Sequence, residues 1–182
     1  RGTGHESSSW FAFRDFGLKY FGAATQEDMI SFWHTALHEG EVIAEALLPG
    51  DYTAFNALFD ASKALAAADK FIEAYEAQLP VNEEYAAYAA ATKTFRLGKL
   101  AEASALAEGL AGNAAAAANK GVEFVGYELK NPAVKSTDLE ALGKKLDAYT
   151  DYAYYIDEVN TLIRNANKNG YQQAYVTVVN DI

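Results

Sequence analysis

The sequence predicts an all-α protein, an antiparallel bundle of four to five helices preceded by a short aromatic helix. Strong helix formers, chiefly Ala, Leu, Glu and Lys, dominate the chain. Its three prolines, Pro49, Pro80 and Pro132, each stand where a helical pattern stops. Apolar residues recur at the spacing of helix faces. At 182 residues the chain suits one helical-bundle domain, residues 1–182, that buries a core without disulfides.

The first predicted element is an aromatic helix within residues 1–22, with Ser9 as its cap. Trp10, Phe13, Phe16 and Tyr20 share one of its faces. Apolar side chains surround nearly the whole helix, so we expect it to plug one end of the bundle. The alternative is a docking element, in which these four residues bind a partner subunit, a pigment or a lipid.

The second helix is predicted over residues 26–48. Thr25 and Asp28 approximate a capping box at its start, and Pro49-Gly50 end it. The residues expected to face the core recur at helical spacing: Ile30, Trp33, Leu37, Gly40, Ala44 and Leu47.

The third helix is predicted to start after an Asp51 cap and to run to about Gln78, with Pro80 stopping it. A fourth begins after Asn82, and Gly98 breaks it, so that residues 99–111 form a separate helix. The third helix should turn six residues inward: Phe55, Leu58, Phe59, Leu65, Ile72 and Tyr75.

Two further helices complete the predicted bundle. One covers residues 114–129, after Gly112-Asn113. The last starts at a capping box of Thr137 and Glu140 and ends at Asn169-Gly170. The tail, residues 171–182, fits a short strand or a helix equally well. Tyr149, Tyr152, Tyr154 and Tyr155 surround the last helix, and we expect them mainly to pack at the core edge, although tyrosine is also common at interfaces.

One group of residues has side chains of the types that bind metal ions or catalyse reactions. His34, His38, Glu41 and Glu45 stand at i, i+4, i+7 and i+11, so they fall within about 60° on one helix. We call this set the His–Glu stripe. Imidazole pairs at i, i+4 with a carboxylate one turn on can hold a divalent metal or a haem iron. Facing ligands would have to be carboxylates, for which the candidates are Asp60, Asp69, Glu73 and Glu76.

The stripe lies beside the predicted core face of its helix rather than on it. This position favours the interpretation that its histidines are hydrogen-bonded groups at the core edge, with the two glutamates in solvent. A metal-dependent hydrolase on the same residues is a further alternative.

Charge and composition exclude several classes of protein. A net charge of −10 opposes nucleic-acid binding, and no apolar run reaches the length of a membrane span. The chain has no cysteine, which excludes thiolate metal sites and suits an extracytoplasmic location. The sequence favours a non-enzymatic binding or scaffold protein whose partner is another protein, with the metal- or haem-binding bundle as the alternative.

Overall fold

The computed structural model describes residues 25–168, which form six α-helices and no strand. The all-α prediction is therefore confirmed. A π-helical turn, Arg96–Leu100, joins the third and fourth helices into one long rod, so the described chain has five helical rods. A 3-10 turn, Ser136–Asp138, precedes the last helix. The helices are α1 (Gln26–Ala46), α2 (Pro49–Ala67), α3 (Phe71–Phe95), α4 (Ala101–Gly109), α5 (Gly112–Glu128) and α6 (Leu139–Lys168).

Helices α1, α2 and α3 pack together at one end of the long rod. The rings of Phe32 in α1 and Tyr75 in α3 lie 6.1 Å apart. Further along both helices, the Asn82 side-chain amide donates a hydrogen bond to the Ala36 carbonyl oxygen at 2.8 Å. Phe32 precedes Ala36 in α1, and Tyr75 precedes Asn82 in α3. The two helices therefore run parallel to each other. The connecting helix α2 is antiparallel to both.

Helices α5 and α6 pack along the other end of the rod. Lys99, at the π-helical turn, forms an ion pair of 2.7 Å with Asp147 of α6. Ala107 of α4, Ala118 of α5 and Ala153 of α6 share one small apolar cluster. The order of these contacts shows that α6 runs parallel to α4, with α5 antiparallel to both.

Two larger apolar clusters form the core. The first joins α1, α2 and α3 around Phe55 and Phe59. The second joins the end of α3 to α5 and α6 around Val125 and Leu146. The short link between α1 and α2 contributes Leu47 to the first cluster and Leu48 to the second. Since burial of each such side chain stabilises the fold by about 1.5–3 kcal/mol, this link ties the two clusters together.

A buried polar network crosses the first cluster. The Ser62 hydroxyl donates to Gln78 Oε1 at 2.5 Å, and Gln78 Nε2 donates to Asn82 Oδ1 at 2.7 Å. The network continues to the Ala36 carbonyl and so connects α1, α2 and α3. Gly40 of α1 faces it, and the missing side chain lets the helices approach closely.

The start of α1 confirms the predicted capping box. The Asp28 backbone N–H donates to Thr25 Oγ1 at 3.2 Å, and the Thr25 N–H donates to Asp28 Oδ2 at 2.8 Å. The core face is rotated slightly from the predicted one: Ala36 and Ile43 are buried, whereas Leu37 is only half-buried.

The sequence predicted that one helix stops at Pro80 and that the next begins after Asn82, and this boundary is wrong. Pro80 lies inside α3, and Asn82 is a buried residue of the same helix. Proline removes one helix hydrogen bond and commonly costs about 3 kcal/mol. Packing of the flanking residues on α1 and α2 holds α3 together here. The break comes earlier, where Asp69 has φ 60° and the Lys70 N–H donates to the Leu65 carbonyl. Asp tolerates this left-handed conformation, so the helix ends without glycine or proline.

The start of α2 also differs from its prediction. Pro49 is the first residue of α2, a position that favours proline, and α1 ends before it at Ala46. Asp51 is buried in the first turn, where it accepts a hydrogen bond from the Ser136 backbone N–H at 2.8 Å. Leu58 and Ile72, both predicted to point inward, are exposed, because the buried face of α2 passes through Phe55, Phe59 and Ser62 and that of α3 begins with Ala74.

The remaining helices require smaller corrections. Gly98 does not interrupt the helix, because it lies within the π-helical turn that joins α3 to α4. Asp138, not Thr137 or Glu140, makes the capping contact before α6, where its carboxylate accepts from the Lys135 N–H at 2.9 Å.

No helix in residues 25–168 has the length and apolar character of a membrane span.

Candidate functional site

The His–Glu stripe lies on the solvent side of α1, where His34, His38, Glu41 and Glu45 are all exposed. The structure brings two of them together, with His38 Nδ1 3.7 Å from Glu41 Oε2. Both side chains are largely exposed, 78% and 59%, so solvent screens their attraction.

The described residues bring no further ligands to the stripe that would complete a metal site. Within residues 25–168, no three His, Asp or Glu side chains are placed so that they could hold a metal ion. Among the four carboxylates expected to face the stripe, Asp60 is engaged instead with Lys63 at 2.7 Å. Binding of a divalent metal or haem by the stripe therefore stays a prediction.

A groove of about 640 Å³ lies between the π-helical turn and the start of α6. Its walls are mainly apolar, and two lysines stand at its rim. Lys99 is paired with Asp147 at 2.7 Å, and Lys144 with Glu140 at 2.6 Å. Because a carboxylate neutralises each lysine, the groove offers a charged ligand little net attraction. Ser136 also lines it, but the buried Ser136 hydroxyl is closed to solvent.

Within residues 25–168, two ionisable groups have shifted pKa values. Hydrogen bonds from the Thr25 backbone and then from the Thr25 hydroxyl lower the pKa of Asp28. Burial raises the pKa of Tyr85, helped by the nearby negative charge of Glu84. Neither group lies in the His–Glu stripe or in the groove, so these shifts serve the fold.

The second half of α6 carries several exposed large apolar residues. Ala153 is the last buried residue of α6, although the helix continues for fifteen residues to Lys168. Its partner α5 is much shorter, with 17 residues against 30. Because Ala118 of α5 lies level with Ala153, α6 extends beyond the first residue of α5 from about residue 159 onward.

The apolar residues in this half of α6 follow a regular pattern, at spacings of 3, 4, 3 and 4. They fall within about 80° around the helix. Tyr155 is 54% exposed and Leu162 is 61% exposed. The five residues span about 21 Å along the helix axis. We call this surface the distal face of α6; it consists of Tyr152, Tyr155, Val159, Leu162 and Ala166.

The distal face changes the interpretation of the tyrosines around α6. Only Tyr149 packs at the core edge as expected, with its ring 6.3 Å from that of Phe124. Tyr152, Tyr154 and Tyr155 are exposed. The 3-4 spacing that continues through Leu162 was visible in the sequence, but periodicity alone does not show which of two adjacent stripes meets the bundle.

The partner site predicted from the sequence lies outside the described residues. It consists of Trp10, Phe13, Phe16 and Tyr20, in the aromatic segment before α1.

Comparison with known proteins does not identify the chain. No protein-family model, no curated protein and no solved structure matches it.

Proposed function

We propose that this protein is a non-enzymatic helical binding or scaffold protein, and that it acts as a subunit or receptor through the distal face of α6. The observation that carries the proposal is an apolar stripe on α6 in which Tyr152, Tyr155 and Leu162 are exposed and Val159 and Ala166 are half-buried. Partner proteins recognise such a stripe by inserting it into an apolar groove, with anchors at helical spacing. The extracytoplasmic location expected from the cysteine-free composition belongs to the same proposal.

The composition of the distal face indicates what kind of groove accepts it. Two tyrosines offer rigid, amphipathic rings, a residue type that is enriched at protein interfaces. Asp151 and Glu158 flank the face, and the chain carries a net charge of −10. A complementary partner therefore has an apolar groove with lysine or arginine at its rim.

The proposal is tested by affinity purification from the cells that produce the protein. The face variant carries Tyr155→Glu and Leu162→Glu. The control carries Tyr127→Glu on α5, where a single tyrosine is 72% exposed outside the distal face. Both variants should fold, since all three side chains are exposed.

Wild type and control should recover the same protein, and the face variant should recover at least tenfold less of it. Each buried anchor at an interface is commonly worth about 2 kcal/mol or more, so two lost anchors exceed a tenfold effect. Equal recovery by wild type and the face variant would contradict the proposal. Circular dichroism checks that all three proteins are equally helical.

A further inference from the structure

The groove between the π-helical turn and the start of α6 has the size of a small-molecule site. Such sites commonly enclose about 300–1,000 Å³, and this groove encloses about 640 Å³. We propose that the groove binds one uncharged, mainly apolar small molecule that carries a hydrogen-bond acceptor such as a carbonyl oxygen. The groove is separate from the distal face of α6, so this inference goes beyond the proposed function and does not depend on it.

Two helical walls form the groove, and each presents one side of its helix. The wall on α3 and the π-helical turn follows helical spacing: Ala91, Thr94, Phe95 and Gly98. On α6, the wall between residues 139 and 147 spans about 12 Å along the helix axis. This length suits a molecule with two fused aromatic rings. Single π-helical turns inside α-helices are frequent at functional sites, and here the turn forms part of the wall.

The charges at the rim favour an uncharged ligand. The 2.7 Å ion pair of Lys99 with Asp147 joins the two walls. Lys99 crosses to α6 over Gly143, where an added Cβ would lie only 3.2 Å from Lys99 Nζ. The second pair, Lys144 with Glu140, lies within α6. A charged ligand would have to displace a lysine or a carboxylate from one of these pairs, whereas an uncharged ligand leaves both pairs intact.

A buried hydroxyl at the other end of the groove supplies a polar contact. Ser136 lines the groove and is only 9% exposed, and its hydroxyl has no hydrogen-bond partner among the residues that the structure describes. Its backbone N–H is already held by Asp51. Rotation about the Cα–Cβ bond turns the hydroxyl toward the groove while the backbone stays in place. Because a buried donor without an acceptor is unfavourable and rare, the contact selects an acceptor on the ligand.

Fluorescence titration of the full chain with prodan, an uncharged naphthyl ketone, tests the proposal. We expect saturable binding of a single molecule per chain, with emission shifted to shorter wavelength. Gly98→Leu should weaken binding at least about tenfold, since a single methylene in an apolar site can change affinity by about that factor. An added Cβ at Gly98 meets no described atom within 4 Å, so the variant should fold.

Gly126→Leu is the matched control, because a Cβ there also meets no described atom within 4 Å and Gly126 lies in α5, away from the groove. It should bind prodan as wild type does. Circular dichroism checks that both variants are as helical as wild type. Equal affinity of Gly98→Leu and Gly126→Leu for prodan would overturn the proposal, and so would the absence of saturable binding to wild type.

Two further compounds test the chemical class of the ligand. Ser136→Ala should weaken prodan about fivefold, the usual effect of one hydrogen bond, and leave 2-dimethylaminonaphthalene, which lacks the ketone, unchanged. Equal effects on the two compounds would refute the hydrogen bond. The anionic 1-anilinonaphthalene-8-sulfonate should bind more weakly than prodan. If it binds more tightly and Gly98→Leu abolishes that binding, the groove is a site for anions, against the proposal.

The two proposals can fail separately. The Tyr155→Glu, Leu162→Glu variant should bind prodan as wild type does, and Gly98→Leu should recover the same partner protein as wild type. Loss of prodan binding in the face variant would place the probe on the distal face and overturn the groove proposal alone. Prodan binding that depends on Gly98, with no protein that depends on the distal face, would overturn the proposed function alone.

Discussion

Replacing Gly40 by alanine tests how the first three helices fit together. A Cβ atom at Gly40 would lie 2.8 Å from Phe59 Cε2, 3.1 Å from Gln78 Nε2 and 3.2 Å from Asn82 Oδ1. These neighbours belong to α2 and α3 and are all buried. Because the surrounding interior is closely packed, none of them can move away without displacing others.

The expected change in stability is the balance of three effects. Alanine favours the helix over glycine by about 1 kcal/mol. Overpacking a core site costs about 1–3 kcal/mol. Displacing the Gln78 amide from Asn82, 2.7 Å away, leaves a buried polar group unsatisfied and costs a further 1–3 kcal/mol or so. The free energy of unfolding should therefore fall by about 1–5 kcal/mol, so the clash outweighs the gain in helix propensity.

Urea and thermal denaturation of Gly40→Ala beside Gly126→Ala measure this balance. A Cβ at Gly126, inside α5, meets nothing within 4 Å. The control should therefore be as stable as wild type or up to about 1 kcal/mol more stable. In Gly40→Ala the melting temperature should fall by at least about 2 °C. If Gly40→Ala is as stable as Gly126→Ala, the close approach of α1 to α2 and α3 is refuted.

Three further predictions address other parts of the molecule. Gly121→Ala should also destabilise the fold, because its Cβ would lie 2.6 Å from the Tyr149 Cβ; a melting temperature equal to that of wild type would contradict the α5–α6 packing. Asp28 has a lowered pKa, so its contribution to stability should be complete above its ordinary value of 3.8 and disappear as pH falls through the folded-state value. Urea titrations of wild type and Asp28→Asn should therefore differ at pH 6 and converge at low pH; a constant difference would argue against this cap. If the His–Glu stripe binds zinc, His34→Ala and His38→Ala should each weaken binding more than tenfold, and binding should fade below about pH 6. Calorimetric traces that are identical for wild type and the double variant would remove the metal hypothesis.

The candidate sites were only partly visible in the sequence. The spacing of the His–Glu stripe predicted that its four residues share one side of α1, because a helix places i, i+4, i+7 and i+11 together. Spacing within one helix does not show whether another helix brings ligands to it. For the distal face, the tyrosines were evident, but Tyr152 and Tyr155 are exposed because the neighbouring stripe, with Ala153, meets the bundle.

The sequence by itself determined the all-α class, the capped start of α1 at Thr25 and the helical stretches that form the bundle. These features depend on contacts within a few residues along the chain, namely backbone hydrogen bonds, caps and the helical repeat. Tertiary structure decided that α3 continues through Pro80, whereas α2 ends at Ala67, before Asp69, without a glycine or proline signal. The continuation through Pro80 depends on residues distant in sequence, since packing on neighbouring helices can offset a local cost of about 3 kcal/mol.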